Sequence, residues 1–233
     1  MVTSIPSSKE FETNGKQYLN LCWNHAISVL LDYEESEPWY HKKDEDLKAD
    51  YSASAHHELA TAITLAAQGT EFLLKSRIAS VSPWLLISKS PQEWPRGCNT
   101  NDLPFAKFRT VDAQDLIKIH DTFCKDRLSE KFKELFDALR IERNSFVHNI
   151  DESIEISVSR VLGLVLELSE FLVGEKTWLS MRREHLRDAR QTLFYPLYSE
   201  AQTVREMIQL IKSLEPSVLK RHFGFNKKQR AYL

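Results

Sequence analysis

Between Lys16 and Tyr33 the residues Leu19, Trp23, Ala26, Ile27, Leu30 and Leu31 return at steps of three and four. That spacing gathers them on one face of an α-helix. A second helix is predicted over about 54–80. It is rich in Ala and Leu and apolar around most of its circumference, the character of a helix central to a bundle. From Asp112 to about Lys125 a shorter helix is anchored by Leu116, Ile117 and Phe123. Ser129 offers a weak cap to the next, because Phe132 stands where a full capping box has an acid. That helix runs to about Val147. Asp151 or Ser153 opens another, with Ile156, Val158, Val161, Leu162, Val165, Leu166, Leu168 and Leu172 as its buried stripe and Gly174 as its stop. Two more helices are predicted at about 177–194 and 198–213, split near Pro196, with Pro216 ending the second. Strands find no support. The class is all-α.

The connections differ in character. Residues 1–14 are polar and predicted to be a loose tail. Residues 32–50 carry eight acids against Lys42, Lys43 and Lys48, and are expected to form a solvated connection. The stretch 82–104, broken by Pro83, Pro91, Pro95, Gly97 and Pro104, is long for a loop inside one domain and marks a functional or mobile segment. From Pro216 onward there is no acid, while Lys220, Arg221, Lys227, Lys228 and Arg230 are basic. Such a tail attracts phosphate or an acidic partner, or merely keeps the terminus soluble.

Composition narrows the function classes. Over 233 residues, 31 Lys and Arg stand against 33 Asp and Glu, so the chain is no broad basic coat for nucleic acid. Six glycines argue against a turn-rich β-sandwich and against glycine-loop nucleotide folds. Cys22, Cys98 and Cys124 are widely spaced and odd in number, which disfavours both a thiolate zinc site and a disulfide scaffold. No basic-then-apolar leader opens the sequence, and the stretch 59–70 is shorter than the roughly 20 residues that span a bilayer. The expectation is a soluble, cytoplasmic protein with no membrane contact, no metal and no cofactor.

Chemistry concentrates at the end of the helix Leu139-Arg140-Ile141-Glu142-Arg143-Asn144-Ser145-Phe146-Val147-His148. With Arg140 at zero and about 100° per residue, the apolar arc centres near roughly 280° and Arg143 falls near roughly 300°, inside it. Asn144 and His148 lie on one flank, four residues apart. An inward guanidinium demands carboxylates, carbonyls or a phosphate. It ties two helices together through a buried acid, or it grips a phosphodiester bidentately while an imidazole passes protons. Arg143 and His148 converge on one ligand if the helix unwinds, if the arginine bends back, or if a second copy meets the first across a two-fold axis.

Arg143-Asn144-x-x-x-His148 resembles the R-(polar)-x(4–6)-H signature of the HEPN family (higher eukaryotes and prokaryotes nucleotide-binding domain). Gln68-Gly69-Thr70-Glu71-Phe72-Leu73-Leu74-Lys75-Ser76-Arg77-Ile78 is similar to the G-x-E-x-x-L-K-A-R-L segment on the second helix of many HEPN proteins. Phe108-Arg109-Thr110-Val111 before a helix, and Leu135-x-x-x-Leu139-x-x-x-Arg143-Asn144, fit the same pattern. The resemblance covers about 15–173. It implies an up-and-down bundle of four or five helices over 15–174, with 175–233 as a helical C-terminal extension, that dimerises so that two motifs face one cleft, and a metal-independent endoribonuclease in a toxin, CRISPR-associated or antiviral defence system. By the same resemblance Arg143 would hold the scissile phosphate, His148 would handle protons, and Asn144 would orient either. The products would carry a 2′,3′-cyclic phosphate and a 5′-hydroxyl. Glu71 would pair with Arg143 or form a structural salt bridge, and Arg140 would add a phosphate contact or stand exposed. The alternative is a non-catalytic HEPN module that binds a nucleotide, with the C-terminal helices recruiting a regulatory protein. Asn149 and Ile150 follow His148, where HEPN toxins neutralised by a nucleotidyltransferase carry a tyrosine two positions on, so that regulation is not expected. His56 and His57, adjacent on a helix, point apart and read as surface or interface residues. His120 with Cys124 has i, i+4 spacing but offers only two ligands.

Overall fold

Eight α-helices carry the chain among the residues described by the computed structural model, which are 1–36, 51, 54–88, 90–148 and 156–225, with the backbone alone at 147 and 148. They are α1 (Ser8–Ser36), α2 (His56–Val81), α3 (Ala113–Phe123), α4 (Glu130–His148), α5 (Val158–Leu172), α6 (Trp178–Arg187), α7 (Tyr198–Ser213) and α8 (Pro216–Phe223). Two two-residue strands, β1 (Val2–Thr3) and β2 (Leu103–Pro104), pair in parallel. The fold is all-α.

Several boundaries differ from expectation, each for a local reason. The N-terminal segment is not a loose tail. Ser7 and Glu10 form a capping box: the Ser7 backbone N–H donates to Glu10 at 2.7 Å, and the Ser7 hydroxyl accepts from the Glu10 N–H at 3.2 Å. That starts α1 at Ser8, eight residues before Lys16. Ser129 does cap α4, accepting from the Phe132 N–H at 3.3 Å. Helix α5 begins at Val158 with Ser157 as its cap, later than Asp151 or Ser153; residues 151–155 lie outside the described ones. The helix expected over 177–194 stops at Arg187, and a 3-10 turn follows over Arg190–Leu193. Pro216 follows the end of α7 at Ser213 and is itself the first residue of α8, where its missing N–H costs no hydrogen bond.

The chain divides into two compact units. The first comprises residues 1–16 and 68–138. Its core includes Phe11, Leu73, Leu74, Ile78, Leu86, Phe105, Leu116, Phe132 and Phe136. The start of α1 lies against α2: the Ser76 hydroxyl donates to the Ser8 carbonyl at 2.9 Å, and the Phe11 and Phe72 rings sit 6.0 Å apart. The stretch 82–104 is pinned at several points, among them the Trp94 indole donating to the Ser88 carbonyl and the Met1 ammonium on Asp102.

The second unit comprises residues 17–67 and 139–233. The expected division at 174 therefore does not separate these units: the C-terminal helices share one with the middle of α1 and with α5. Their joint is a buried polar knot. Arg182, 3% exposed, donates Nε and Nη2 to the carboxylate of Glu206, 2% exposed, at 3.0 and 2.7 Å. Its other N–H groups reach Asn20 Oδ1 at 3.2 Å and Asn24 Oδ1 at 2.7 Å. The Trp23 indole and the Gln202 amide complete the carboxylate at 3.0 and 3.1 Å. Four donors meet the two oxygens of the carboxylate, which is the condition for holding charges away from water.

The acidic end of α1 is also not free in solvent. Glu34 accepts from Lys212 at 2.8 Å, which with the Gln209 side chain holds its carboxyl below the usual range, and Glu35 pairs with Arg205. Residues 37–50 lie outside the described ones. In α8, Arg221 donates to Glu170 of α5 at 3.0 Å, so this part of the basic terminus is neutralised; Lys227, Lys228 and Arg230 lie outside the described residues.

Candidate functional site

The buried stripe of α4 descends through Phe132, Phe136 and Leu139. Its next buried member is Glu142, not Arg143: the last step is three residues, which turns the inward face by one position. Glu142 is 8% exposed and its Oε2 accepts from Arg160 Nη2 of α5 at 2.7 Å. Burial raises the pKa of its carboxyl, against the pull of Arg160. So the inward charge neutralised between helices, the structural role open to Arg143 in the sequence, belongs here to the neighbouring glutamate.

Arg143 itself is half-buried. Its Nη1 donates to Asn144 Oδ1 at 3.0 Å, and among the described residues it meets no carboxylate. Asn144 is exposed. The structure thus brings Arg143 and Asn144 together at the C-terminal end of α4. His148 is the last residue of that helix; its side chain lies outside the described residues. Arg140 is half-buried one turn back.

Glu71 belongs to the first unit, and the helix end with Arg143 to the second. Its charge acts on Lys75, one turn further along α2. Burial lowers the Lys75 pKa, and Glu71 and Asp112 oppose that shift.

Two features escaped the sequence. His56, read from sequence as surface or interface, is half-buried with its ring edge-on to Phe146, centroids 5.9 Å apart. His57 is exposed, its ring 6.0 Å from that of His56, and Glu58 pairs with His25 of α1. A helical histidine pair that faces an aromatic on another helix has no signature in spacing. The second is a cavity of about 470 Å³ within the first unit, walled by Trp84, Trp94, Phe108 and Cys98.

His120 and Cys124 form no ligand pair with a third member. Among the described residues no group of three His, Cys, Asp or Glu is placed to hold a metal, and no helix is long and apolar enough to cross a membrane. No family model, curated protein or solved structure matches the chain.

Proposed function

We propose that the protein is a metal-independent endoribonuclease of HEPN type, acting as a dimer in a defence or toxin-like system, with Arg143, Asn144 and His148 at a shared cleft. One observation carries this reading: the half-buried Arg143 is held by Asn144, while Arg160 is spent on Oε2 of the buried Glu142 beside it, whose Oε1 has no partner among the described residues. Among the described residues an arginine so placed has donors left for phosphate oxygens, and a planar fork suits the two non-bridging oxygens of a phosphodiester. Negative charge that builds on phosphorus during attack by the ribose 2′-oxygen is then met by a fixed cation. His148, at the end of the same helix, passes the proton.

The test is incubation of purified protein with RNA. Arg143→Ala and His148→Ala each lower cleavage by about 10²-fold or more with the helical spectrum unchanged, EDTA does not inhibit, and a 2′-deoxy substitution at the scissile position blocks the reaction. Cleavage retained in both variants overturns the assignment. One observation favours the alternative, a non-catalytic module that recruits a protein through its C-terminal helices. Leu193, Phe194, Tyr195 and Leu197 are 68–81% exposed in one short segment before α7, an apolar surface of the kind that partners cover.

A further inference from the structure

The cavity of about 470 Å³ in the first unit has walls that are mostly apolar: Trp84, Ile87, Trp94 and Phe108, with Val2 of β1. Ser88 and Cys98 are the polar members, and no described lining residue carries a charge. The walls are tied in place. The Ser88 N–H donates to the Arg109 carbonyl and the Val111 N–H to that of Leu86, each at 2.9 Å, which fixes Ile87 and Ser88 against the segment that follows Phe108. The Trp94 indole N–H is spent on the Ser88 carbonyl at 2.8 Å, and its ring meets Phe108 edge-on, centroids 6.3 Å apart. Val2 is held by the pairing of β1 with β2. Gly97, at φ +78°, turns the chain just before Cys98, and its carbonyl accepts from the Asn101 N–H at 2.9 Å. A hollow so tied needs little ordering when a ligand enters.

Two tryptophans on these walls stay open to water. Trp84 is 49% and Trp94 41% exposed, whereas Trp23 and Trp178 are buried. We infer that this cavity binds an uncharged small molecule built of two or three aromatic rings. The inference is independent of the ribonuclease reading. Size, charge and shape each narrow the ligand. The volume is about three times the roughly 150 Å³ that takes one benzene, so one side chain of a partner protein leaves much of it empty. The described lining offers no cation to a phosphate or carboxylate and no carboxylate to an amine, and an ion entering it loses water without compensation. The Ser88 hydroxyl already donates to Glu93. Indole and phenyl walls take flat rings by offset or edge contact.

The experiment uses N-phenyl-1-naphthylamine, a neutral molecule of three rings whose emission rises in apolar surroundings. Held dilute and titrated with the full chain, it gives a saturable one-site curve with a dissociation constant of about 100 µM or tighter. Neutral 1-naphthamide displaces it, and 1-naphthoate, alike in shape but anionic, does so about tenfold less well or worse. Trp84→Ala and Cys98→Phe, the second of which fills the cavity, each weaken binding by about tenfold or more. Phe194→Ala, in the exposed segment before α7, leaves it unchanged. In the wild type, saturating 1-naphthamide slows alkylation of Cys98 by N-ethylmaleimide by about threefold or more, a readout that stands even if both cavity variants fail to fold. The assignment is overturned by a wild type that shows no saturable binding, by binding that survives in both folded cavity variants, by 1-naphthoate competing as well as the amide, or by unchanged alkylation of Cys98. Binding lost in Phe194→Ala and kept in Trp84→Ala places the probe on the exposed segment and also overturns it. Uptake of the probe only on dilution of a self-associated chain gives the cavity mouth to a second copy and overturns it likewise.

Discussion

Glu206→Gln is the most informative single change for the stability of the second unit. The substitution keeps the shape of the side chain and removes its charge. Four donated hydrogen bonds end on that carboxylate, two from Arg182 and one each from Trp23 and Gln202. An amide supplies one oxygen acceptor; its nitrogen must face a donor, whichever way it is turned. Arg182 cannot lose its proton and is 3% exposed, so it stays charged without a counter-ion. Removing one partner of such a pair costs about 3–5 kcal/mol. For a chain of this length that lowers the melting temperature by roughly 6–20 °C. Urea unfolding followed by far-UV circular dichroism and by tryptophan emission measures the loss. Arg205→Gln, at an exposed pair with Glu35, is the control and costs under about 1 kcal/mol. Arg182→Met combined with Glu206→Leu recovers much of the deficit, because burying no charge is cheaper than burying one alone. A Glu206→Gln loss no larger than that of Arg205→Gln refutes the argument that this knot joins α6 and α7 to α1.

Other outcomes follow from single contacts. A methyl at Gly15 would stand 2.7 Å from Leu73 Cγ and 3.0 Å from the Gly69 carbonyl, so Gly15→Ala destabilises by about 1–3 kcal/mol. Gly163→Ala, in mid-α5 with nothing within 4 Å, stabilises by about 0.5–1 kcal/mol; equal effects at the two sites would refute the crowding argument. Burial lowers the His120 pKa, aided by Arg77 and opposed by Asp121, and burial with Arg182 lowers that of His185. A depressed folded-state value means stability is fully present above about pH 6.5, the unfolded value, and is lost as pH falls through the folded one. Urea midpoints should therefore drop on acidification below neutrality, and less steeply in His120→Gln; an unchanged slope speaks against the burial of a neutral imidazole.

Helices with a long unbroken stripe were legible in the sequence. Those predicted over 198–213 and 54–80 correspond to Tyr198–Ser213 and His56–Val81. The start of α1 was legible too, in Ser7 and Glu10, but a polar tail hides a capping box from a search for apolar periodicity. Pro216 illustrates a real ambiguity, since the residue that stops one helix is also suited to begin another. The apolar arc put Arg143 inward where Glu142 is the buried charge, because an ideal angle per residue carries a one-position error where the stripe ends. The pairing of Arg182 with Glu206 had no sequence sign at all. Arg182 sits beside Arg183, which is exposed, and only tertiary packing distinguishes the two.

Helices α1, α2 and α4 each pass from one unit into the other, so neither unit is a continuous stretch of chain. A nascent polypeptide leaving the ribosome holds everything the first unit needs once residue 138 has emerged. Trp23, made earlier, must wait for the Trp178 ring of α6, 4.8 Å from its own, and for the Glu206 carboxylate of α7. Truncation before Glu206 strands Arg182 in the same way, which makes the late part of the message, not the early part, decisive for a chain that escapes degradation.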